Sequence, residues 1–176
     1  MHISSKTLYD FHTRRTTAHI NCLNYFAGLL GYHFPEHDND KHSDTIRTGY
    51  VYYNYAKYHP DYTFTSAQQE LFEFARREHH YTQPHHFEYY SDVRNISDIT
   101  LVEMVCDWHS ASFEQRYLTH EDPMDYTVRD WFNLLIQDKY PFTQHQIDFI
   151  YQLIDFLDMY TNHDDAMRCW LPMLEI

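Results

Sequence analysis

The sequence predicts an all-α protein: a single compact domain of about six helices. Only 3 glycines and 6 prolines occur among 176 residues, which is too few for a turn-rich β-sandwich and typical of helices joined by short loops. Apolar residues recur at spacings of three and four, the pattern of a helix that buries one face. A chain of this length suits one domain with a sizeable core, so we assign residues 1–176 to that domain.

The first half of the chain carries three helical patterns, followed by an aromatic segment that contains proline. Residues that commonly begin or end helices lie at their boundaries, such as Gly31 after the first pattern and Thr65 or Ser66 before the third. The predicted helices cover residues 6–32, 36–58 and 66–80, and an ordered loop is predicted over residues 81–95.

The second half of the chain predicts three more helices. Ser97 is a predicted N-cap, and Thr143 with Gln146 has the spacing of a capping box. These helices cover residues 97–117, 127–139 and 143–160, and residues 168–176 are predicted to form a short tail. We expect the helices within 127–160 to complete a core around a site formed by residues 15–110.

The charge of the chain narrows the range of partners. Thirteen basic and 26 acidic residues give a net charge of −13, which repels DNA and RNA. A nucleic-acid polymer is therefore a poor substrate, whereas a small phosphorylated molecule held by a metal stays open. The aromatic-rich last helix can also pack against a second copy, so a homodimer remains open.

The compartment is predicted from the cysteines and from the absence of targeting patterns. Cys22, Cys106 and Cys169 are far apart and odd in number, which favours reduced thiols over a disulfide framework. No apolar run reaches the roughly 20 residues that cross a bilayer, and the N-terminus lacks the order of a signal peptide. We therefore expect no membrane partner and a cytoplasmic location, in a bacterial cell or a phage-infected host.

Four residues have the types and the order expected of metal ligands: His19, His37, Asp38 and Asp107. Imidazole and carboxylate groups suit Zn, Mn, Fe, Co or Ni, so the sequence predicts a divalent metal ion without identifying it. A metal in an open site of this kind lowers the pKa of a water molecule toward neutrality, which lets the water attack phosphorus.

A second cluster of four histidines lies within residues 79–86. From this cluster, His80, His85 and His86 are candidates for a second metal site, with Asp38 bridging two ions, or for a phosphate-binding wall. The alternative is a loop that is packed by aromatic residues and exposes its histidines.

Two further residues are candidates for a direct part in catalysis beside Asp38. Lys41 stands three residues after Asp38 and can contact a substrate phosphate, although it can also be a surface lysine. Glu103 stands four residues before Asp107, so both carboxylates share one face of the predicted helix. The alternative for Glu103 is a solvated acidic stripe.

The segments that carry these residues read HDNDK (37–41), HHYTQPHHFEYY (79–90) and EMVCDW (103–108). The ligand order resembles the HD-domain superfamily of metal-dependent phosphohydrolases, which implies an HD-domain-like helical fold and an H…HD…D metal site. The chain is more similar to a small family of uncharacterised phage and bacterial proteins with the motifs HDxSK, PHHWxYW and EMxxDW. Asp40, Gln83 and Phe87 depart from that pattern.

The sequence and this resemblance predict a metal-dependent phosphohydrolase that acts on a nucleotide or another small phosphoester. Two other functions stay open. The acidic, tyrosine-rich composition also fits a non-enzymatic binding protein, such as a phage inhibitor that mimics nucleic acid. A closed metal site would instead indicate a metal-stabilised structural protein.

Overall fold

The computed structural model describes residues 3–63, 65–119 and 126–174. Within these ranges the chain forms eight α-helices and no strand, so the prediction of an all-α domain is confirmed. The helices are α1 Ser5–Leu29, α2 Arg47–Tyr58, α3 Ser66–Thr82, α4 Asp98–Tyr117, α5 Val128–Trp131, α6 Gln144–Tyr160, α7 His163–Arg168 and α8 Leu171–Leu174.

Helices α1 and α4 pack against each other at the centre of the domain. Helix α2 lies against α1 and carries α3 on its other side, while α6 and α8 complete the core against α4 and α1. Helix α4 is apolar around most of its circumference and buries Leu101, Met104, Cys106 and Phe113, as expected of a helix enclosed by others. The polar residues that α1 and α4 also bury therefore face each other inside the protein.

The predicted second helix over residues 36–58 is wrong in its first half. Asp38 adopts a left-handed backbone conformation with φ 59° and ψ 8°, which interrupts a right-handed helix. A short 3₁₀ turn follows at Asn39–His42, and α2 begins only at Arg47. Aspartate is one of the few residues that adopt this conformation at modest cost. The break places the His37–Asp38 pair in a loop.

The C-terminal half also differs from the prediction in detail. The predicted helix over 127–139 is the short α5 followed by a π-helical turn, Phe132–Ile136. The stretch predicted as a tail contains α8, and Trp170 just before it is fully buried. Helices as short as α7 and α8 lack enough turns to show a period in the sequence, so six helices were expected where eight are found.

Helix starts follow the capping residues that the sequence indicates. Thr65 accepts a hydrogen bond from the backbone N–H of Gln68, and Ser97 caps α4 in the same way. Thr143 and Gln146 form the predicted capping box. Helix α3 continues past its predicted end to Thr82, and the loop after it contains two 3₁₀ turns, at 87–89 and 93–95. In the described part of the chain, no helix has the length and apolar character needed to cross a membrane.

Helices α2 and α3 approach closely at Gly49. A Cβ atom at this position would lie 2.7 Å from the Cβ of Ala75 and in collision with the carbonyl of Leu71. We expect Gly49→Ala to lower the free energy of unfolding by about 1–3 kcal/mol, because the two backbones must separate. Urea denaturation measures this change.

Gly28→Ala is the matched control for that measurement. No atom lies within 4 Å of a Cβ added at Gly28, and alanine favours a helix over glycine by about 1 kcal/mol. The control is therefore expected to be neutral or stabilising. Equal destabilisation by both substitutions would contradict the close approach of α2 and α3.

Candidate metal centre

Asp38 lies at the centre of a buried cluster of imidazoles and carboxylates. Its side chain is 1% exposed, and its Oδ1 atom is 3.2 Å from Nε2 of His79, 3.6 Å from Nε2 of His85 and 3.7 Å from Nε2 of His37. Its Oδ2 atom is 3.6 Å from Nε2 of His19. Four imidazoles from α1, the 37–38 loop, α3 and the segment after α3 thus surround one carboxylate.

Two groups of possible metal ligands lie on either side of Asp38. The Asp107 group consists of His19, His37 and Asp107, and the histidine group consists of His79, His85 and His86. In each group the ligand atoms lie within 4.8 Å of one another. In the Asp107 group, Oδ1 of Asp107 is 2.9 Å from Nε2 of His19 and 3.6 Å from Nε2 of His37.

Unpartnered polar atoms inside this cluster fit a metal ion. Nε2 of His37, Oδ1 of Asp38 and Nε2 of His85 are buried and have no hydrogen-bond partner in the described part of the chain. Each such atom costs about 1–3 kcal/mol when it stays unsatisfied. A cation among them would satisfy all of them together, since these atom types bind divalent metals at about 2.0–2.2 Å.

Carboxylates behind two of the imidazoles orient them toward Asp38. Nδ1 of His37 donates to Oε1 of Glu103 at 2.9 Å, and Nδ1 of His79 donates to Oδ2 of Asp40 at 2.7 Å. Because each carboxylate accepts a hydrogen bond from Nδ1, the Nε2 atom of each ring faces the centre. Metal-binding histidines are commonly held in this way.

A hydroxyl group on α4 holds His19 in place. The Ser110 hydroxyl donates to the backbone carbonyl of His19 at 3.1 Å and lies 3.0 Å from Nδ1 of its ring. Nε2 of His19 is thereby directed at Oδ1 of Asp107, 2.9 Å away.

The electrostatics of the cluster show a deficit of positive charge. Burial alone would lower the pKa of His37, but the charge of Asp38 and the neighbouring carboxylates of Asp107 and Glu103 outweigh burial and raise that pKa to about 10. A site that protonates an imidazole so strongly attracts cations. A divalent ion would displace this proton.

The other groups stay in the charge states that metal binding needs. Burial lowers the pKa of His19 and of His85, so both rings are neutral near pH 7. Burial would raise the pKa of Asp38, but Lys41 and His37 hold it well below its usual range. The imidazoles of His19 and His37, which face Asp107, likewise outweigh burial and lower the pKa of Asp107.

A family profile described as a family of unknown function, DUF5662, matches residues 8–155. The chain belongs to DUF5662. The matched range contains every residue of both ligand groups. No curated protein and no solved structure matches the chain.

The structure places the proposed catalytic residues of this DUF5662 protein at different depths. Nζ of Lys41 lies 2.6 Å from Oδ2 of Asp38 and 5.0 Å from the centre of the Tyr50 ring, so Lys41 faces the site and not bulk solvent. Glu103 stands behind His37. Its carboxylate therefore positions an imidazole and does not reach the substrate side.

His80 lies at the rim of the DUF5662 site, farther from Asp38 than His79. Its ring stacks on that of His86 at 4.0 Å, and its Nδ1 atom is 3.3 Å from Oε1 of Glu88. His86 points inward, with Nε2 2.9 Å from Nε2 of His79. His80, His86 and Glu88 can form a further cation-binding group at this rim.

Sequence reasoning did not assign three residues that complete the site: His79, Asp40 and Ser110. His79 belongs to the histidine cluster of residues 79–86, but the ligands predicted from that cluster are His80, His85 and His86. A signal for His79 was present, since it lies four residues after Ala75, and both are buried on one face of α3. Ser110 lies three residues after Asp107 on α4, but serine has no distinctive pattern.

A cavity of about 230 Å³ opens beside the ligands. Its wall carries cationic side chains from α1, the 39–42 turn, α2 and α3, which are Arg15, Lys41, Lys57 and Arg76. In Arg15, Nε donates to Oε1 of Glu114 at 2.7 Å and one terminal nitrogen donates to Oε2.

His12 ties the turn that carries Lys41 to the core. Its Nε2 donates to the backbone carbonyl of Lys41 at 3.1 Å, and its Nδ1 accepts from the amide of Asn54 at 2.9 Å. Burial is the main cause that lowers the pKa of His12, to about 4. The ring is therefore neutral near pH 7 and fixes the position of this turn.

Glu103→Ala is expected to weaken metal binding by about 10- to 100-fold, because His37 loses the carboxylate that orients it. Competition with a chromogenic chelator measures the affinity. Asp98→Ala is the control, since Asp98 lies on the same helix, is exposed and has His145 as its only side-chain partner among the described residues. Equal affinities in both variants would show that Glu103 does not position His37.

Proposed function

We propose that this protein is a metal-dependent phosphohydrolase that acts on a nucleotide or another small phosphoester. One observation carries the proposal: unpartnered ligand atoms of His37, Asp38 and His85 converge inside the protein, beside a cavity whose wall is cationic. The ligand set supports a metal, and the cationic wall supports an anionic substrate.

The two ligand groups and Asp38 would hold the metal. His19, His37 and Asp107 would bind one ion, the histidine group would bind a second, and Asp38 lies within reach of both. Such ligands suit Zn, Mn, Fe, Co or Ni. When bound, the metal lowers the pKa of a water molecule and polarises a phosphoryl oxygen.

Lys41 would bind the phosphate of the substrate. Its side chain is 12% exposed, and its ammonium group is held over the site by Oδ2 of Asp38 and by the ring of Tyr50. If Asp38 gives its charge to a metal, Lys41 becomes available to an incoming phosphate oxygen. The ammonium group needs only a small movement, because its turn is already fixed by His12.

Arginines on two helices would add to the binding of the anion. Arg15 lies four residues before His19 on α1, and Arg76 lies three residues before His79 on α3. Each arginine is thus one helical turn from a ligand and lines the same cavity. Within a chain of net charge −13, this local excess of cations favours a phosphorylated substrate over a neutral one.

The open cavity favours catalysis over a structural metal. A structural site surrounds its ion with protein ligands, whereas a catalytic site leaves a position open. Here the cavity reaches His19, His79 and Asp107 directly. An acidic binding protein would not need buried imidazoles that face one carboxylate, so it explains less of this arrangement.

Elemental analysis of the purified full chain, followed by a phosphate-release assay, tests the proposal. We expect about one or two metal ions per chain. We also expect Mn, Co or Zn to support phosphate release from at least one member of a panel of nucleotides and alkyl phosphates, and EDTA to abolish it. A fully metallated protein without activity on the panel would favour the structural role. Absence of bound metal after reconstitution would overturn the proposal.

A further inference from the structure

A second cavity lies along α4, next to the cavity beside the metal ligands. It has a volume of about 190 Å³ and is bounded by α4 and by the segment that begins α5. Its walls include Trp108, Trp131, Ser112 and Gln115. Ala111 lines this cavity and also the cavity beside the metal ligands. The two spaces therefore meet at a single methyl side chain.

The walls of this second cavity suit a planar heterocycle. The ring centroids of Trp108 and Trp131 lie 5.1 Å apart, and the ring planes are inclined at 58°. Both side chains are only half-buried. The hydroxyl of Ser112 and the amide of Gln115 make no side-chain hydrogen bond within the described residues. Aromatic faces with a few unused polar groups are the usual lining of a site for a flat, hydrogen-bonding ligand.

The size of the cavity indicates how much of a ligand it holds. A pocket that encloses a whole drug-sized molecule measures roughly 300–1,000 Å³, so a volume of about 190 Å³ suits one ring system. The remainder of the ligand must then lie outside it, and the neighbouring space is the cationic cavity at the metal ligands.

The position of Ala111 on α4 connects the two sites. Ala111 lies four residues after Asp107 and therefore on the same face of the helix, about 6 Å farther along its axis. A sugar bridges a comparable distance between a base and its phosphate. A molecule with its phosphate near Asp107 can thus extend past Ala111 to the indoles.

We propose that the indole-lined cavity binds the nucleobase of the substrate, so that the enzyme hydrolyses nucleoside phosphates in preference to alkyl phosphates. This inference rests on the proposed phosphohydrolase function for the reaction, but the base site itself is independent of the metal. Stacking on the indoles supplies the affinity, and Gln115 and Ser112 contact the edge of the base.

The first test uses binding without chemistry. Adenosine and uridine carry no phosphate, and their binding to the full chain can be followed by tryptophan fluorescence with the metal present or removed. We expect saturable quenching in both states. Trp131→Ala is expected to weaken nucleoside binding by about 10-fold, since one stacking surface is lost. Leu134→Ala, an exposed residue three positions later, is the control and should leave binding unchanged.

The second test uses selectivity and does not depend on removing a tryptophan. In the wild type, kcat/KM for a nucleoside monophosphate should exceed that for glycerol phosphate by about 10-fold or more. Ala111→Met adds a side chain where the two cavities meet and should reduce this ratio toward one. Methionine is a good helix former, so α4 is retained, and thermal unfolding verifies this.

The outcomes separate this inference from the proposed function. Metal-dependent hydrolysis of alkyl and nucleoside phosphates at equal rates, with no quenching by nucleosides, would overturn the base site alone. Nucleoside binding that is lost in Trp131→Ala, without hydrolysis of any phosphoester, would support the base site and overturn the phosphohydrolase. Quenching that Trp131→Ala and Ala111→Met both leave unchanged would also overturn the base site.

Discussion

Asp38→Asn is expected to abolish stoichiometric metal binding and to lower turnover by more than about 100-fold. Changing a residue that only orients a ligand usually costs about 10- to 100-fold, and the loss of a ligand itself should exceed this. The carboxylate oxygens of Asp38 lie within 4 Å of imidazole Nε2 atoms from both ligand groups. Asparagine keeps the shape and tolerates the left-handed backbone, so the substitution removes the charge with little change in local structure.

The measurements are elemental analysis and kcat/KM on the best phosphoester. Asp44→Asn is the matched control, because the Asp44 side chain is 94% exposed and, within the described part of the chain, pairs only with Arg47. Circular dichroism establishes that both variants are folded. A folded Asp38→Asn protein with the full metal content of the wild type would remove the basis of the proposed site.

Glu114→Gln is expected to lower the free energy of unfolding by about 3–5 kcal/mol, the usual effect of removing one partner of a buried ion pair. Glu114 is fully buried and accepts hydrogen bonds from Arg15, Lys57 and the hydroxyl of Tyr58. Without its charge, the guanidinium of Arg15 stays inside the protein with no carboxylate beside it. Urea and thermal unfolding measure the change.

The pH dependence of this effect has a definite sign. Burial would raise the pKa of Glu114, but the charges of Arg15 and Lys57 hold it far below its usual range. The ionised carboxylate therefore stabilises the fold above the unfolded pKa of about 4.3, and that stabilisation is lost as pH falls toward the folded pKa. The difference between wild type and Glu114→Gln should be constant near pH 7 and shrink below about pH 4.

Two further variants complete this test. Glu73→Gln removes an exposed acid of α3 and should change stability by less than about 0.5 kcal/mol. The combined variant Arg15→Met, Lys57→Met and Glu114→Leu removes the buried carboxylate together with both of its cationic partners. It should recover much of the loss, because apolar side chains replace buried ion pairs at little cost. A combined variant as unstable as Glu114→Gln would show that packing, and not the unpaired charge, dominates.

The fold class was predictable because it depends on periodicity and on capping residues. Both are local properties, and Thr65, Ser97 and Thr143 start their helices as the sequence indicates. The order of His19, His37, Asp38 and Asp107 also selected residues that the structure brings together, since α1 and α4 pack side by side. Ligands on two helices that pack side by side can reach the same metal ion.

Other parts of the site were out of reach because they depend on exact orientation. The left-handed backbone of Asp38 is one of two positive-φ positions among the described residues, the other being Gly31, and no periodic pattern marks it. Which of His79 and His80 faces the site depends on how α3 is rotated about its axis. Asp40 and Ser110 act through an imidazole, and their types alone do not indicate that role.

The left-handed turn at Asp38 has a consequence for the order of assembly. Its neighbour Lys41 is anchored by the neutral ring of His12, and the imidazoles of His19, His37 and His79 are each oriented by a hydrogen bond inside the protein. Because the protein itself makes each of these contacts, we expect the scaffold to fold without an ion, in contrast to zinc fingers, which fold only around their metal. Chelation should consequently yield an empty but native protein that can be recharged with a different metal.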